Sequence, residues 1–178
     1  MIYYNIGGIT VRDLEPDDPK KIFDAQTAQG WHPDIKVYEK RLSDAKEGKI
    51  TALAAFIGDD YAGHVNLFWH PNDGPYKDSG IPMIVDLAVP EKYQRRGVGS
   101  ALMETAELIA ASRADHVYLA VGLHSGYGAA QRLYARRGYI PDGSGLWYDG
   151  RQWPQYEGGI VNDDSLYIWL IKELRRHD

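Results

Sequence analysis

The chain has 178 residues, a formal net charge of −5 and no cysteine. The length suits one domain, residues 1–178, with a sizeable core. The missing cysteine excludes a disulfide framework, a thiolate metal site and a cysteine nucleophile. The acidic balance with no evident basic face argues against nucleic-acid binding, and no run of about 18 apolar residues marks a membrane span. Met1-Ile2-Tyr3-Tyr4 does not begin a signal peptide, so a cytoplasmic protein is expected.

In chain order, Ile9-Thr10-Val11-Arg12 reads as a first strand. Residues 17–29 and 34–46 read as two helices, the second ending near Gly48. Residues 50–57 and 61–69 flank Gly58-Asp59-Asp60 as a hairpin, and the Pro-, Gly- and Asp-rich residues 70–82 form a loop. Ile84-Val85-Asp86-Leu87-Ala88-Val89 is an apolar, partly β-branched run, hence a buried strand. Gln94-Arg95-Arg96-Gly97-Val98-Gly99-Ser100 follows. Residues 100–113 then read as a helix, with Leu102, Ala106, Ile109 and Ala110 at helical spacing.

Val117-Tyr118-Leu119-Ala120-Val121 reads as another buried strand. A helix follows from Tyr127, with Ala130, Leu133, Tyr134 and Arg137 on one face and Gly138 at its end. Residues 141–164 read as a long irregular stretch carrying Trp147, Tyr148, Trp153 and Tyr156. Residues 166–174 are apolar on both faces, a late buried strand whose character is compatible with a homodimer.

Two of these segments carry chemistry. A strand that turns through glycines into a helix presents free backbone N–H groups at the positive end of the helix dipole. Such a turn suits a phosphate or pyrophosphate. Gly97 and Gly99 remove the Cβ atoms that would keep a ligand off the backbone, and Arg95 and Arg96 add counter-charge. The turn has neither the lysine of a P-loop nor the spacing of a dinucleotide fingerprint.

The Gln/Arg-x-x-Gly-x-Gly/Ala pattern resembles the acyl-CoA signature of the GNAT superfamily of N-acetyltransferases. Ala130-x-x-Leu133-Tyr134-x-x-x-Gly138-Tyr139 resembles the helix after that family's fifth strand, and it lies about thirty residues further on, in the right order. The resemblance is specific over residues 84–140. It implies an α/β (α+β) single-domain GNAT-like fold, with a mixed central sheet of about six or seven strands flanked by helices.

The resemblance also implies roles. Leu87, Ala88 and Val89 would hold the pantetheine of acetyl-CoA through their backbone, Gln94 to Ser100 would hold the pyrophosphate, and Ala130 and Tyr127 would border the cofactor. Many family members have asparagine where this chain has Tyr127, which puts that contact in doubt. Tyr134 would protonate the departing thiolate. Reference values of about 10 for tyrosine and 8.5 for a thiol make full transfer uphill by roughly 2 kcal/mol in water.

For the general base, Asp86 in the strand, His64 with a pKa suited to base work, and a water chain stay open. Strand alternation places Asp86 on the face opposite Leu87. Trp31, His32, His64, Trp147 and Tyr148 are candidate acceptor contacts, and packing is the plain alternative for the tryptophans. His, Asp and Glu lack ligand spacing, so no metal is expected. The expected reaction is direct acetyl transfer from acetyl-CoA, as co-substrate, to a small-molecule or peptide amine. A non-catalytic acyl-CoA-binding or sensor domain is the alternative.

Overall fold

In the computed structural model, which describes residues 1–174, the chain divides into two compact units. The first holds residues 1–69 and 84–109, the second residues 70–83 and those from 110 onward. The fold is α/β, a mixed sheet flanked by helices. The described residues form nine strands rather than six or seven.

In the first unit, β1 (Ile2–Ile6) and β2 (Ile9–Asp13) form an antiparallel hairpin. Its two-residue turn is Gly7-Gly8, both at positive φ (62° and 79°), the conformation that such hairpins require. β1 was missed because it is short and largely exposed, with no buried apolar run to announce it. β3 (Ile50–Ile57) pairs antiparallel with β2, Val11 opposite Ala55. β4 (Asp60–Phe68) pairs antiparallel with β3, Leu53 opposite Val65. The order is β1-β2-β3-β4-β5, where β5 is Met83–Ala88.

Helix α1 (Asp18–Ala28) starts on a fully buried carboxylate. Asp18 accepts two bonds from Arg12 (2.6 and 3.1 Å) and one from the Glu15 N–H (2.7 Å), so its charge is compensated where water cannot reach it. Helix α2 (Ile35–Lys46) is capped by Asp34, which accepts from the Lys36 N–H, and the chain leaves it through Gly48 at φ 74°. Leu14, Ile22, Ile50, Phe56 and Tyr61 form a core here, with Tyr38, Leu42 and Phe68 packed on it. Helix α3 (Val98–Ala111) opens two residues earlier than expected and buries Leu102, Met103 and Ala106 completely.

In the second unit, β6 (His116–Gly122) pairs antiparallel with β9 (Leu166–Glu173), Leu119 opposite Leu170. Met83 pairs in parallel with Tyr118, whose N–H donates to the Pro82 carbonyl at 3.2 Å. Helix α4 (Gly128–Arg136) ends with Gly138 at φ 87°. Residues 141–164 are not irregular throughout. β7 (Ile140–Tyr148) pairs with β9, and β8 (Arg151–Gln152) folds back on β7, giving the order β6-β9-β7-β8. Pro141, Gly143 and Gly145 hid this strand. The β7–β9 register is broken between Pro141 and Leu146, where both glycines take positive φ, so no clean alternation survives in the sequence.

Candidate active site

The strand–turn–helix of the first unit is built by three departures from regular geometry. Asp86, within β5, has φ 58°, a left-handed conformation that Asp tolerates better than most side chains. The positive φ breaks the two-residue alternation, so the face assigned to Asp86 by counting along a flat strand does not apply. Arg95 (φ 59°) and Gly97 (φ 91°) then turn the chain into α3. A Cβ on Gly97 would come no nearer than 3.6 Å to Ile9 Cδ1, so what selects glycine here is backbone conformation.

A 3₁₀ turn (Glu91–Tyr93) links β5 to this loop. It is pinned by the Tyr93 hydroxyl, which donates to Asp60 at 2.9 Å, while Gln94 Nε2 reaches back to the Val89 carbonyl at 3.2 Å. Arg95 and Arg96 are exposed, and Arg96 lies 5.4 Å from the Tyr93 ring centroid. Val98 is 1% exposed and anchors the start of α3. Leu87, Ala88 and Val89 are half-buried. The Ala88 carbonyl runs close to β4: a Cβ on Gly63 would stand 2.8 Å from its oxygen, 3.0 Å from Leu102 and 3.2 Å from Val98.

Still in the first unit, the Asp86 carboxylate is held on one oxygen. Arg41 Nε and Asn66 Nδ2 both donate to Oδ2, each at 2.9 Å. No partner to Oδ1 is found among the described residues. Arg41, from α2, lies over the Phe68 ring at 4.8 Å, and Asn66 is buried in β4. Sequence reasoning named neither residue; a buried Asn in an apolar strand was the available signal.

His64 is buried in β4, 5% exposed, with Nδ1 at 2.5 Å from the Tyr61 hydroxyl and its ring 5.6 Å from that of Tyr38. Burial pushes its pKa down to about 4; Asp86 opposes this and Arg41 adds to it. Burial also holds the Tyr61 phenol well above its usual value, so the phenol donates and His64 Nδ1 accepts. The expectation of a histidine titrating near neutrality is thus not met. Trp31 (42% exposed) and His32 lie in the exposed link between α1 and α2.

In the second unit, β6 ends at Gly122, against which the Tyr127 ring is packed so closely that a Cβ there would lie 2.3 Å from it. The Tyr127 hydroxyl donates to Asp164 at 3.1 Å, and His124 shares the same carboxylate oxygen at 2.8 Å. Because His124 Nδ1 accepts from the Gly126 N–H (3.1 Å), its Nε2 carries the proton and donates. His124 therefore helps to fasten Tyr127. The partner, Asp164, lies 37 residues away from Tyr127, beyond any local signal.

Helix α4 carries half-buried Ala130 and Tyr134, which is 7% exposed. Gln131 Nε2 ties the helix to the Gly122 carbonyl at 2.7 Å. Burial, with a smaller contribution from Tyr127, pushes the Tyr134 phenol up to about 12. No hydrogen bond to its hydroxyl is found among the described residues.

Trp147 and Tyr148 stand half-buried on β7. Trp147 Nε1 donates to Ser144 Oγ at 2.9 Å, and the Tyr148 ring meets Trp153 edge-on at 5.7 Å. Among the described residues, no group of three or more His, Asp or Glu side chains could hold a metal ion, and no helix is long and apolar enough to cross a membrane.

The acetyltransferase (GNAT) family model matches residues 11–139, and no curated protein matches the sequence. Among solved structures, the chain is similar to Ard1 from Thermoplasma volcanium, at 18% identity over 94% of this chain and 99% of that one, with a TM-score of 0.68. It is similar to the ribosomal-protein-S18-alanine N-acetyltransferase from Escherichia coli, at 15% identity over 93% and 94%, with a TM-score of 0.66. NAA60 from Arabidopsis thaliana, solved with a bisubstrate analogue, gives 16%, 94%, 99% and 0.67. At these identities the likeness is one of fold.

Proposed function

The chain belongs to the GNAT acetyltransferase family, whose model covers residues 11–139, and on that premise we propose that it moves an acetyl group from acetyl-CoA to a primary amine by direct attack in a ternary complex. Members of this family use acetyl-CoA as co-substrate. The observation that carries the reading is the turn after β5. Arg95 and Gly97 at positive φ open α3, and the exposed arginines stand beside its first amides. Such a turn fits a pyrophosphate.

Residues 94–100 would hold the pyrophosphate, and the backbone of Leu87, Ala88 and Val89 would meet the pantetheine amides. A backbone N–H of that segment would donate to the oxygen that gains charge. Tyr127 and Ala130 would border the cofactor. The Tyr127 hydroxyl is already committed to Asp164, so its ring supplies the contact.

The acceptor enters as an ammonium and loses one proton before attack. Asp86 is favoured over His64 as the receiving group, because its carboxylate is partly exposed and its Oδ1 has no partner among the described residues, whereas the His64 ring is buried and its Nδ1 is engaged by the Tyr61 hydroxyl. The amine nitrogen bonds to the carbonyl carbon, the C–S bond breaks, the nitrogen gives up its second proton and the thiolate takes one, so the net reaction releases one proton. Tyr134 would serve the thiolate. With the phenol at about 12 against about 8.5 for a thiol, full transfer is uphill by roughly 5 kcal/mol. Tyr134 therefore acts as a hydrogen-bond donor, with the final proton drawn from solvent. Trp31, His32, Trp147 and Tyr148 would contact the acceptor; the E. coli protein is by name an N-acetyltransferase of ribosomal-protein-S18 alanine.

The raised Tyr134 pKa also favours a second reading, an acyl-CoA-binding domain without turnover. Thermal unfolding with acetyl-CoA, desulfo-CoA, ATP and NADH tests the cofactor assignment. Stabilisation by the CoA compounds alone supports it, and stabilisation by ATP or NADH alone overturns it. An amine panel with acetyl-CoA then separates enzyme from binder.

A further inference from the structure

Trp147 belongs to a larger aromatic face in the second unit. Trp169 of β9, 4% exposed, has the ring centroids of Tyr118, Tyr167 and Trp147 at 5.4, 5.5 and 5.9 Å. Tyr76 extends the row, 5.0 Å from Tyr118. The segment carrying Tyr76 is seated tightly: a Cβ on Gly74 would stand 2.9 Å from the Trp169 ring, and the Tyr118 hydroxyl donates to the Asp73 carbonyl at 3.3 Å. Tyr118 and Trp169 are buried, whereas Tyr76, Trp147 and Tyr167 keep part of their surface open.

Three carboxylates accompany these rings. Asp142 accepts from Ser144 Oγ at 2.8 Å, and that hydroxyl in turn accepts from Trp147 Nε1 at 2.9 Å. Asp73 precedes Gly74 on the tightly seated segment. Asp149 lies in the β7–β8 turn, its N–H bonded to the Ser165 carbonyl at 3.0 Å. Burial holds the neighbouring phenols above their usual values and these carboxylates add to it, while a hydrogen bond with the Gly150 backbone partly offsets the effect at Tyr167. Asp142 acts on Tyr76, Asp73 on Tyr118 and Tyr167, and Asp149 on Tyr167.

Among the described residues none of the three carboxylates forms an ion pair, and no protein cation lies over Tyr76, Trp147 or Tyr167. The ring faces are electronegative and apolar, and the carboxylates around them have no counter-charge among the described residues. That combination attracts a cation with a hydrocarbon surface rather than a bare metal ion, for which rings supply no lone pairs.

We propose that this aromatic face, formed by Tyr76, Trp147 and Tyr167 over Trp169 and rimmed by Asp73, Asp142 and Asp149, binds an alkylammonium cation. The proposal deepens the acceptor role given to Trp147. It rests on that reading for the identity of the natural ligand and not for the binding itself.

The test is calorimetric titration of the full chain, at about 50 mM salt, with 1,5-diaminopentane and with 1,5-pentanediol as the uncharged analogue. The diamine binds saturably and the diol does not. Trp147→Leu weakens the diamine at least fivefold, and so does the pair Asp73→Asn with Asp149→Asn, which alters two exposed side chains and leaves the core untouched. Equal binding of the diol, no binding of the diamine, or unchanged binding in the aspartate pair overturns the proposal. Desulfo-CoA stabilisation, measured on the same samples, fails separately if the acetyltransferase reading is wrong.

Discussion

Gly63→Ala is the substitution that most directly joins packing to the proposed CoA site. The new Cβ would lie 2.8 Å from the Ala88 carbonyl oxygen and 3.0 Å from Leu102 Cδ1. Ordinary contacts start near 3.4 Å, so the Ala88 peptide must retreat by roughly half an ångström. Overpacking of this kind costs about 1–3 kcal/mol, and replacing a strand glycine returns up to about 1 kcal/mol in chain entropy. A net loss near 1 kcal/mol, spread over an unfolding entropy of about 2.1 cal/mol/K per residue for 178 residues, lowers Tm by roughly 3 °C. Because the displaced carbonyl sits in the segment proposed to carry pantetheine, KM for acetyl-CoA should rise more than KM for the amine. Calorimetry and steady-state kinetics read both effects. A Tm within 1 °C of wild type with an unchanged acetyl-CoA KM would refute the reasoning.

Other outcomes follow from the same geometry. The His64 pKa is about 4 in the fold and near 6.5 when unfolded, so the unfolded chain binds more protons in between. Stability contributed by neutral His64 is fully present above about pH 6.5 and is lost as pH falls toward 4, by about 3 kcal/mol in all. Denaturant midpoints across that window should flatten in His64→Gln. Arg12→Gln leaves the fully buried Asp18 carboxylate without its bidentate partner and should cost about 3–5 kcal/mol by urea unfolding, far more than breaking the exposed Lys20–Asp24 pair. Asp86→Asn should lower kcat about 100-fold with the acetyl-CoA KM little changed, read by steady-state kinetics; an unchanged kcat counts against Asp86 as base.

What could be read beforehand depended on how local the signal was. The turn at residues 94–100 and the end of α4 at Gly138 were legible because glycine and helical spacing speak for themselves within ten residues. β7 was not, since Pro141, Gly143 and Gly145 erase the alternation that its pairing with β9 tolerates through a break in register. The geometry of Asp86 was hidden for a related reason: counting alternate residues assumes a flat strand, and φ 58° ends that assumption. His64 looked suited to base chemistry until burial beside Tyr61 moved its pKa. Arg41 and Asn66, which hold Asp86 from 45 and 20 residues away, came together only through α2 and β4.

Amine-dependent acetyl transfer from acetyl-CoA is tested by following thiol release with a disulfide dye. The chain has no cysteine, so the protein contributes no thiol of its own. Release should require both protein and an amine, saturate in acetyl-CoA, and fall about 10- to 100-fold in kcat for Tyr134→Phe with little change in KM. No release above background with any amine of a broad panel, from protein that desulfo-CoA does stabilise, would contradict it and leave a CoA-binding domain without turnover.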